Sequence, residues 1–294
     1  MYIKITRRFL FILLSLLFSL NSLADTRVST SWLKQHLNDA DLVLIDMADD
    51  LQYQRFHIPA ARNLPYSALN RVTRQRVSFS AGRERLLQIL GLLGAKTDSH
   101  IIIYDDLGGL NAARLYWELE RLGHSRMAIL DGGLVDWILA GYKVTNQPAK
   151  AVKSRYQPAK NKGIDNVATL DDVIHPSKGT VLLDVRSQQE YSGHPRQPRS
   201  GHIPGAKWWS WDNGVDFENR FKMKPLPELK TAFRKLGLEN PDTPVILYCQ
   251  SGHRASQVYY TLRQLGYRKV KVYDGSMAEY SLRKDLPLRK GMQP

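Results

Sequence analysis

The sequence predicts an α/β fold in which two copies of one unit each form a mostly parallel β-sheet flanked by helices. Three observations predict this fold. Short apolar runs alternate with helical patterns along the chain. The segment "VILYC" at 245–249 matches "IIIYD" at 101–105. The apolar positions that follow these two segments have identical helical spacing, so the chain contains an internal repeat.

The repeat extends in both directions from these segments. Upstream, "LVLIDM" at 42–47 resembles "TVLLDV" at 180–185, and "HIPAA" at 57–61 resembles "HIPGA" at 202–206. Downstream, each helical pattern ends near a glycine and is followed by an apolar stretch and Asp-Gly. The matching apolar positions of the two helices are Ala112, Leu115, Tyr116, Leu119 and Leu122 in one, and Ala255, Val258, Tyr259, Leu262 and Leu265 in the other.

These matches predict two domains, 27–145 and 165–294. The connecting segment, 146–164, is polar and basic with two prolines, which is typical of an extended surface linker.

Residues 1–24 have the layout of a secretory signal peptide. Basic residues precede an apolar run at about 9–20, and small residues follow at 22–24. A membrane anchor is the alternative, but the run is short for a span of about 20 residues. We therefore expect an exported, periplasmic protein that is not inserted in the membrane after cleavage.

The formal net charge is +14, and the basic residues are spread along the chain. Such a surface attracts small anions, and without a recognition motif it does not indicate nucleic acid binding. The eight histidines show no metal-ligand spacing, so we expect no metal and no cofactor. The single cysteine excludes an internal disulfide. We expect a monomer.

That cysteine, Cys249, is the candidate nucleophile. It follows a predicted strand, and ligands of parallel sheets bind at the carboxyl ends of strands. A tight loop entering a helix can direct backbone N–H groups into one concavity that attracts anions and stabilises a thiolate. We therefore expect the loop residues to bind the substrate: Gln250, Ser251, Gly252, His253 and Arg254. The alternatives are a buried structural cysteine and a solvated His253.

Four motifs resemble the rhodanese family of sulfurtransferases: "DVRSQQEYSG" at 184–193, "GHIPGA" at 201–206, the cysteine loop at 249–254 and "VYDGS" at 272–276. The resemblance implies that Cys249 takes sulfane sulfur from a donor, becomes a persulfide, and passes the sulfur to an acceptor. Thiosulfate with cyanide or a thiol is the usual pairing, and 3-mercaptopyruvate is the main alternative donor. Polysulfide and selenium compounds remain open.

The resemblance also assigns roles outside the loop. Arg186 matches a family arginine near the pocket and would neutralise the anionic donor, with a salt bridge to a nearby acid as the alternative. Asp184 and residues 201–206 are interpreted as structural. Mercaptopyruvate enzymes often carry a second arginine where Gln188, Gln189 and Glu190 stand here, and their cysteine loop differs, so thiosulfate is favoured.

The first domain is predicted to be inactive, because Asp105 stands where the second domain has Cys249. A carboxylate cannot form a persulfide, so this domain would shape the cleft. The aromatic stretch at 208–211 is interpreted as cover for the cleft or as ordinary packing.

Two further hypotheses remain. A cysteine-dependent phosphatase or arsenate reductase usually has five residues between cysteine and arginine, whereas four separate Cys249 from Arg254. A persulfide carrier without small-molecule turnover would need a protein partner.

The export hypothesis gives a first prediction. N-terminal sequencing of protein from a periplasmic fraction should begin at Asp25 or close by. A full-length chain recovered only from cytosol would contradict it.

Overall fold

The structure is a computed structural model that describes residues 26–150, 152–158 and 163–294. Its two main sheets are five-stranded and parallel and form the centres of two domains, which confirms the predicted fold class. The predicted signal peptide, 1–24, lies outside the described residues. No helix in the described part of the chain is long and apolar enough to cross a membrane.

The first domain has the sheet order β1-β7-β6-β2-β3. Its elements are β1 (Arg27–Val28), α1 (Thr30–His36), β2 (Leu42–Asp46), α2 (Asp50–Arg55), β3 (Arg62–Asn63), a 3₁₀ turn (Tyr66–Leu69), β4 (Asn70–Val72), β5 (Ser78–Ser80), α3 (Arg83–Leu92), β6 (His100–Tyr104), α4 (Ala112–Leu122), β7 (Met127–Leu130) and α5 (Gly133–Leu139).

The second domain repeats this arrangement with the order β8-β14-β13-β9-β10. Its elements are β8 (Val167–Ala168), α6 (Leu170–Ile174), β9 (Val181–Asp184), α7 (Gln188–Ser192), β10 (Lys207–Trp208), a 3₁₀ turn (Trp211–Gly214), β11 (Val215–Asp216), β12 (Lys222–Met223), α8 (Leu226–Arg234), β13 (Val245–Tyr248), α9 (His253–Gln264), β14 (Val270–Tyr273) and α10 (Ser276–Tyr280).

The central strands are apolar because helices cover both faces of each sheet. Every residue of β13 is buried, as are all residues of β6 except His100. Parallel pairing of β13 with β9 and β14 places the carboxyl end of β13 at the centre of one sheet edge. The residue after β13 is Cys249, so the sequence positions the thiol where ligands of such sheets bind.

Helices α4 and α9 pack against each other across the domain interface. The contact is polar as well as apolar. Asn166 and Trp117 exchange two hydrogen bonds of 3.0 Å between side chain and carbonyl. Glu120 accepts from the Tyr259 hydroxyl at 2.5 Å and from Arg263 at 3.0 Å. Because such bonds have strict geometry, they fix the orientation of one domain against the other.

Each domain also extends a two-stranded antiparallel arm to the other domain. The β4–β5 arm donates the Ser80 N–H to Asp274 at 2.6 Å, and the β11–β12 arm donates the Met223 N–H to Asp131 at 2.9 Å. The two aspartates occupy equivalent positions in the repeat, so the arms are exchanged reciprocally.

The described parts of the predicted linker, 146–150, 152–158 and 163–164, contain no helix or strand, and the segment 152–158 packs on the first domain. The Ser154 N–H donates to the Gly91 carbonyl at 2.8 Å. A Cβ at position 91 would lie 2.8 Å from the Ser154 carbonyl oxygen, so this close approach requires glycine.

Candidate functional site

Cys249 lies in a short loop between β13 and α9 and is fully buried. Gly252 ends this loop in the left-handed region, with φ of 77°. A Cβ at this position would lie 2.3 Å from Asp274 Oδ1. Both facts require glycine, so the loop can enter α9 this tightly only with Gly252 in place.

The backbone N–H groups of this loop fall into two sets. Those of Cys249 and Gly252 donate to the Ser276 hydroxyl at 3.1 and 3.0 Å. A second set donates to no other residue in the described part of the chain: Gln250, Ser251, His253, Arg254 and Ala255. Because the first N–H groups of a helix have no partner within the helix, this set is available to an anion.

In the equivalent loop of the first domain, a carboxylate side chain fills such a concavity. The Asp105 carboxylate is almost fully buried and accepts four backbone N–H groups. Leu107 and Gly109 donate to one carboxylate oxygen, both at 2.9 Å. Asn111 and Ala112 donate to the other, at 2.7 and 2.9 Å. The fold therefore holds an anion at this position in one repeat and a thiol in the other.

Arg254 carries a positive charge beside Cys249, and its guanidinium forms two bonds to Glu190 of α7, of 2.6 and 2.8 Å. Burial lowers the pKa of Arg254, but the bonds to Glu190 outweigh it and raise the pKa above its ordinary value. For Glu190, burial raises the pKa, but Arg254 and Ser187 lower it to about 2. Arg254 is thus permanently charged.

Arg186 is engaged by Asp184, the acid that precedes it in the same motif. Its Nε and Nη2 bond the Asp184 carboxylate, the shortest distance being 2.6 Å, and Nη2 also donates to the Gly201 carbonyl. The first repeat has Ala48 at this position, and there burial raises the pKa of Asp46 to about 6. Arg186 therefore neutralises a buried acid, and its contact with the donor stays a prediction.

A cavity of about 350 Å³ adjoins the loop, and its lining includes Arg186, Glu190, Gln250 and Met277. Gln250 is exposed and Ser251 is partly exposed, whereas the Cys249 thiol, which lies between these residues and the sheet, is buried. Of the predicted binding residues, Arg186 and Gln250 line this cavity.

His253 faces the first domain. Its Nε2 lies 2.8 Å from Asn111 Oδ1, and its ring stacks on Tyr66 with centroids 3.7 Å apart. Burial and the nearby charges of Arg114 and Arg254 lower the pKa of His253 to about 3. The ring is therefore neutral near pH 7 and adds no positive charge to the loop. Its predicted role in substrate binding stays a prediction.

A fully buried ion pair supports the loop from the first domain. Arg114 of α4 bonds Asp274 through both terminal nitrogens, at 2.6 and 3.2 Å. Its Nη1 would lie 3.0 Å from a Cβ at Gly252. The sequence analysis did not predict that the site includes Tyr66, Asn111, Arg114 and Ser276. Their contacts join segments that are distant in the chain, and no local sequence pattern indicates such contacts.

The aromatic stretch packs within the second domain. The Trp208 Nε1 donates to the Arg186 carbonyl at 2.9 Å, and Trp209 lies 4.7 Å from the Phe233 ring. Within the described ranges, no cluster of three acidic, histidine or cysteine side chains could hold a metal ion.

The two domains match the rhodanese-like domain family at residues 29–140 and 166–283. The chain is 31% identical to the sulfur carrier protein TtuD of Thermus thermophilus, over 91% of this chain and 97% of the relative. It is 29% identical to the thiosulfate sulfurtransferase of Azotobacter vinelandii, over 87% and 94%. A two-domain protein with one cysteine loop of this kind is a tandem sulfurtransferase, and this chain belongs to the rhodanese family.

Solved structures agree with the fold. The wild-type structure of EanB superposes with a TM-score of 0.79 at 21% identity, covering 92% of this chain and 70% of that one. A structure of an anaerobic ergothioneine biosynthesis enzyme from Chlorobium limicola gives 0.78 at 21% identity, covering 90% and 70%.

The filled loop of the first domain predicts a stability effect. Asp105→Asn replaces one acceptor oxygen by an NH₂ group that faces two N–H donors. At roughly 1–3 kcal/mol for each unsatisfied group, the free energy of unfolding should fall by about 2–6 kcal/mol. Urea denaturation measures this. Asp39→Asn, at an exposed position of the same domain, is the control, and an equal effect of both changes would contradict the prediction.

The Arg254–Glu190 pair predicts a pH dependence. The folded pKa of Glu190, about 2, lies below its ordinary value of 4.5. Its contribution to stability is therefore present above pH 4.5 and is lost as the pH falls toward 2. Thermal melts across this window should show a shallower loss for Arg254→Ala than for wild type. Identical slopes would mean that Arg254 does not hold the Glu190 carboxylate.

Proposed function

We propose that the protein is a thiosulfate sulfurtransferase that carries sulfur as a persulfide on Cys249. The observation behind this proposal is the contrast between the two loops. In the first domain the Asp105 carboxylate satisfies four N–H groups. In the second, loop N–H groups have no acceptor among the described residues. An anionic sulfur on Cys249 would be that acceptor.

The transfer has two displacement steps. The Cys249 thiolate attacks the outer sulfur of thiosulfate; a sulfur–sulfur bond forms, the bond to the SO₃ group breaks, and sulfite leaves with the electron pair. The acceptor, cyanide or a thiolate, then attacks the outer sulfur of the persulfide. Thiocyanate or a new persulfide leaves, and the Cys249 thiolate is regenerated.

The surroundings of the loop support a small anionic donor. The adjoining cavity has Arg186 on its wall, and the permanent charge of Arg254 lies beside the thiol. The Cys249 side chain itself is fully buried. Relatives named thiosulfate sulfurtransferase or putative thiosulfate sulfurtransferase support this donor over 3-mercaptopyruvate.

A second candidate is a persulfide carrier that delivers sulfur to a protein acceptor. It is favoured by one observation, the relative that is named a sulfur carrier protein. The two candidates share the persulfide and differ in turnover. Repeated production of thiocyanate from thiosulfate and cyanide supports the enzyme, whereas loading without multiple turnovers supports the carrier. The family match gives no support to the phosphatase alternative.

The proposal predicts a mass change. Incubation with thiosulfate should add about 32 Da, one sulfur atom, to the protein, and cyanide should remove it. Cys249→Ser should abolish both the adduct and the turnover, because a hydroxyl cannot accept sulfane sulfur as a stable persulfide. Intact-mass measurement and a thiocyanate assay test this, with thermal melts to verify folding. Normal turnover by Cys249→Ser would refute the proposal.

A further inference from the structure

Ser276 occupies a strained position beneath the catalytic loop. It is the first residue of α10 and is fully buried. Its φ is 50°, in the left-handed region that residues other than glycine rarely adopt and that costs about 1–3 kcal/mol. A serine persists at such a position only when the surrounding contacts hold it there.

The Ser276 hydroxyl uses its full hydrogen-bonding capacity. It donates to the Tyr273 carbonyl at 2.7 Å. It accepts the N–H groups of Cys249 at 3.1 Å and Gly252 at 3.0 Å. A hydroxyl has one donor and two acceptor sites, so none remains unused. These bonds tie both ends of the loop to the end of β14.

The start of α10 also engages the loop carbonyls. The N–H groups of Met277 and Ala278 donate to the carbonyls of Cys249 and Gln250, at 3.1 and 3.0 Å. These carbonyl oxygens therefore accept hydrogen bonds from α10, and they are not directed at an anion in the loop.

The first domain holds its equivalent loop in a different way. Gly133 stands at the position of Ser276, and a Cβ there would lie 2.1 Å from the Asp105 carbonyl oxygen. The contact between α5 and the loop carbonyl is kept, since the Leu134 N–H donates to that oxygen at 2.9 Å. The loop has no hydroxyl beneath it, and the Asp105 side chain holds it from within.

We propose that Ser276 is a positioning residue for sulfur transfer: its hydroxyl holds the catalytic loop from outside, so that the interior stays open to the sulfur on Cys249. The inference rests on the proposed function. A loop held from within, as in the first domain, has no room for a persulfide. A loop held neither by the Ser276 hydroxyl nor by an internal carboxylate would lose the geometry in which its N–H groups meet the sulfur. Hydrogen-bond donors stabilise a reacting group most when they need no reorganisation.

The test compares Ser276→Gly with Ser276→Ala in the full chain. Both changes remove the hydroxyl, and both should lower the rate of persulfide formation from thiosulfate by about tenfold or more. Glycine tolerates the positive φ and alanine does not, so the glycine variant should melt at the higher temperature. The rate of persulfide formation, measured by quenching the reaction and determining the intact mass, should therefore fall in both variants, whereas their melting temperatures should differ.

Two further variants complete the comparison. Ser276→Thr keeps the hydroxyl, so its rate should exceed those of the glycine and alanine variants, although its β-branched side chain is strained at this φ and should lower the melting temperature. Thr261→Val removes another buried hydroxyl of the second domain, one that donates to the Gln257 carbonyl at 3.1 Å. Its rate should stay within about twofold of wild type. Rates that follow the melting temperatures, or a glycine variant as fast as wild type, would overturn the assignment.

A second sulfur source separates this inference from the choice of donor. Inorganic polysulfide can load the thiolate by the same displacement, in which one sulfur–sulfur bond forms and another breaks. If thiosulfate fails to load wild type but polysulfide succeeds, the thiosulfate assignment is wrong, and the same variant order with polysulfide still supports Ser276. If neither source loads wild type, both proposals are overturned.

Discussion

The constraint on which this site depends is that backbone N–H groups at a tight turn from strand to helix need acceptors, from a side chain, a ligand or solvent. A tight turn from a parallel strand into a helix directs several of them into one small volume. The first domain meets the constraint with a carboxylate of its own, Asp105. The second meets part of it with the Ser276 hydroxyl, and the remaining loop N–H groups donate to no residue in the described part of the chain. The two loops thus differ in how one set of N–H groups is satisfied.

The first domain contributes contacts around the Cys249 loop although it has Asp105 at the equivalent position. Arg114 is fully buried and pairs with Asp274, two residues before Ser276. Removing either partner would leave the other as an unpaired buried charge, which costs about 3–5 kcal/mol. The catalytic loop is consequently supported on one side by its own α10 and on the other by the first domain.

The sequence predicted the parts of the structure that rest on local patterns. Alternating apolar runs located the strands, the repeat located the two domains, and Cys249 and Asp105 followed from their position after equivalent strands. The partners of the site arginines were not predictable in this way. Arg254 bonds Glu190, 64 positions away, and His253 meets Asn111, 142 positions away. Ser276 was visible only as part of a motif, because its strained φ and its hydroxyl bonds depend on how α10 meets the loop.

The two loops differ by a set of coupled changes. Asn111 stands at the repeat position of Arg254, and its side chain donates to the Met47 carbonyl at 3.1 Å and meets His253 at 2.8 Å. Gly133 stands at the position of Ser276, where the Asp105 carbonyl leaves no room for a side chain. A cysteine at position 105 alone would therefore lack the arginine, the supporting hydroxyl and the shorter loop of the second domain. Asn111 also contacts His253 of the second domain, so one of the positions that distinguish the two loops contributes to the domain interface.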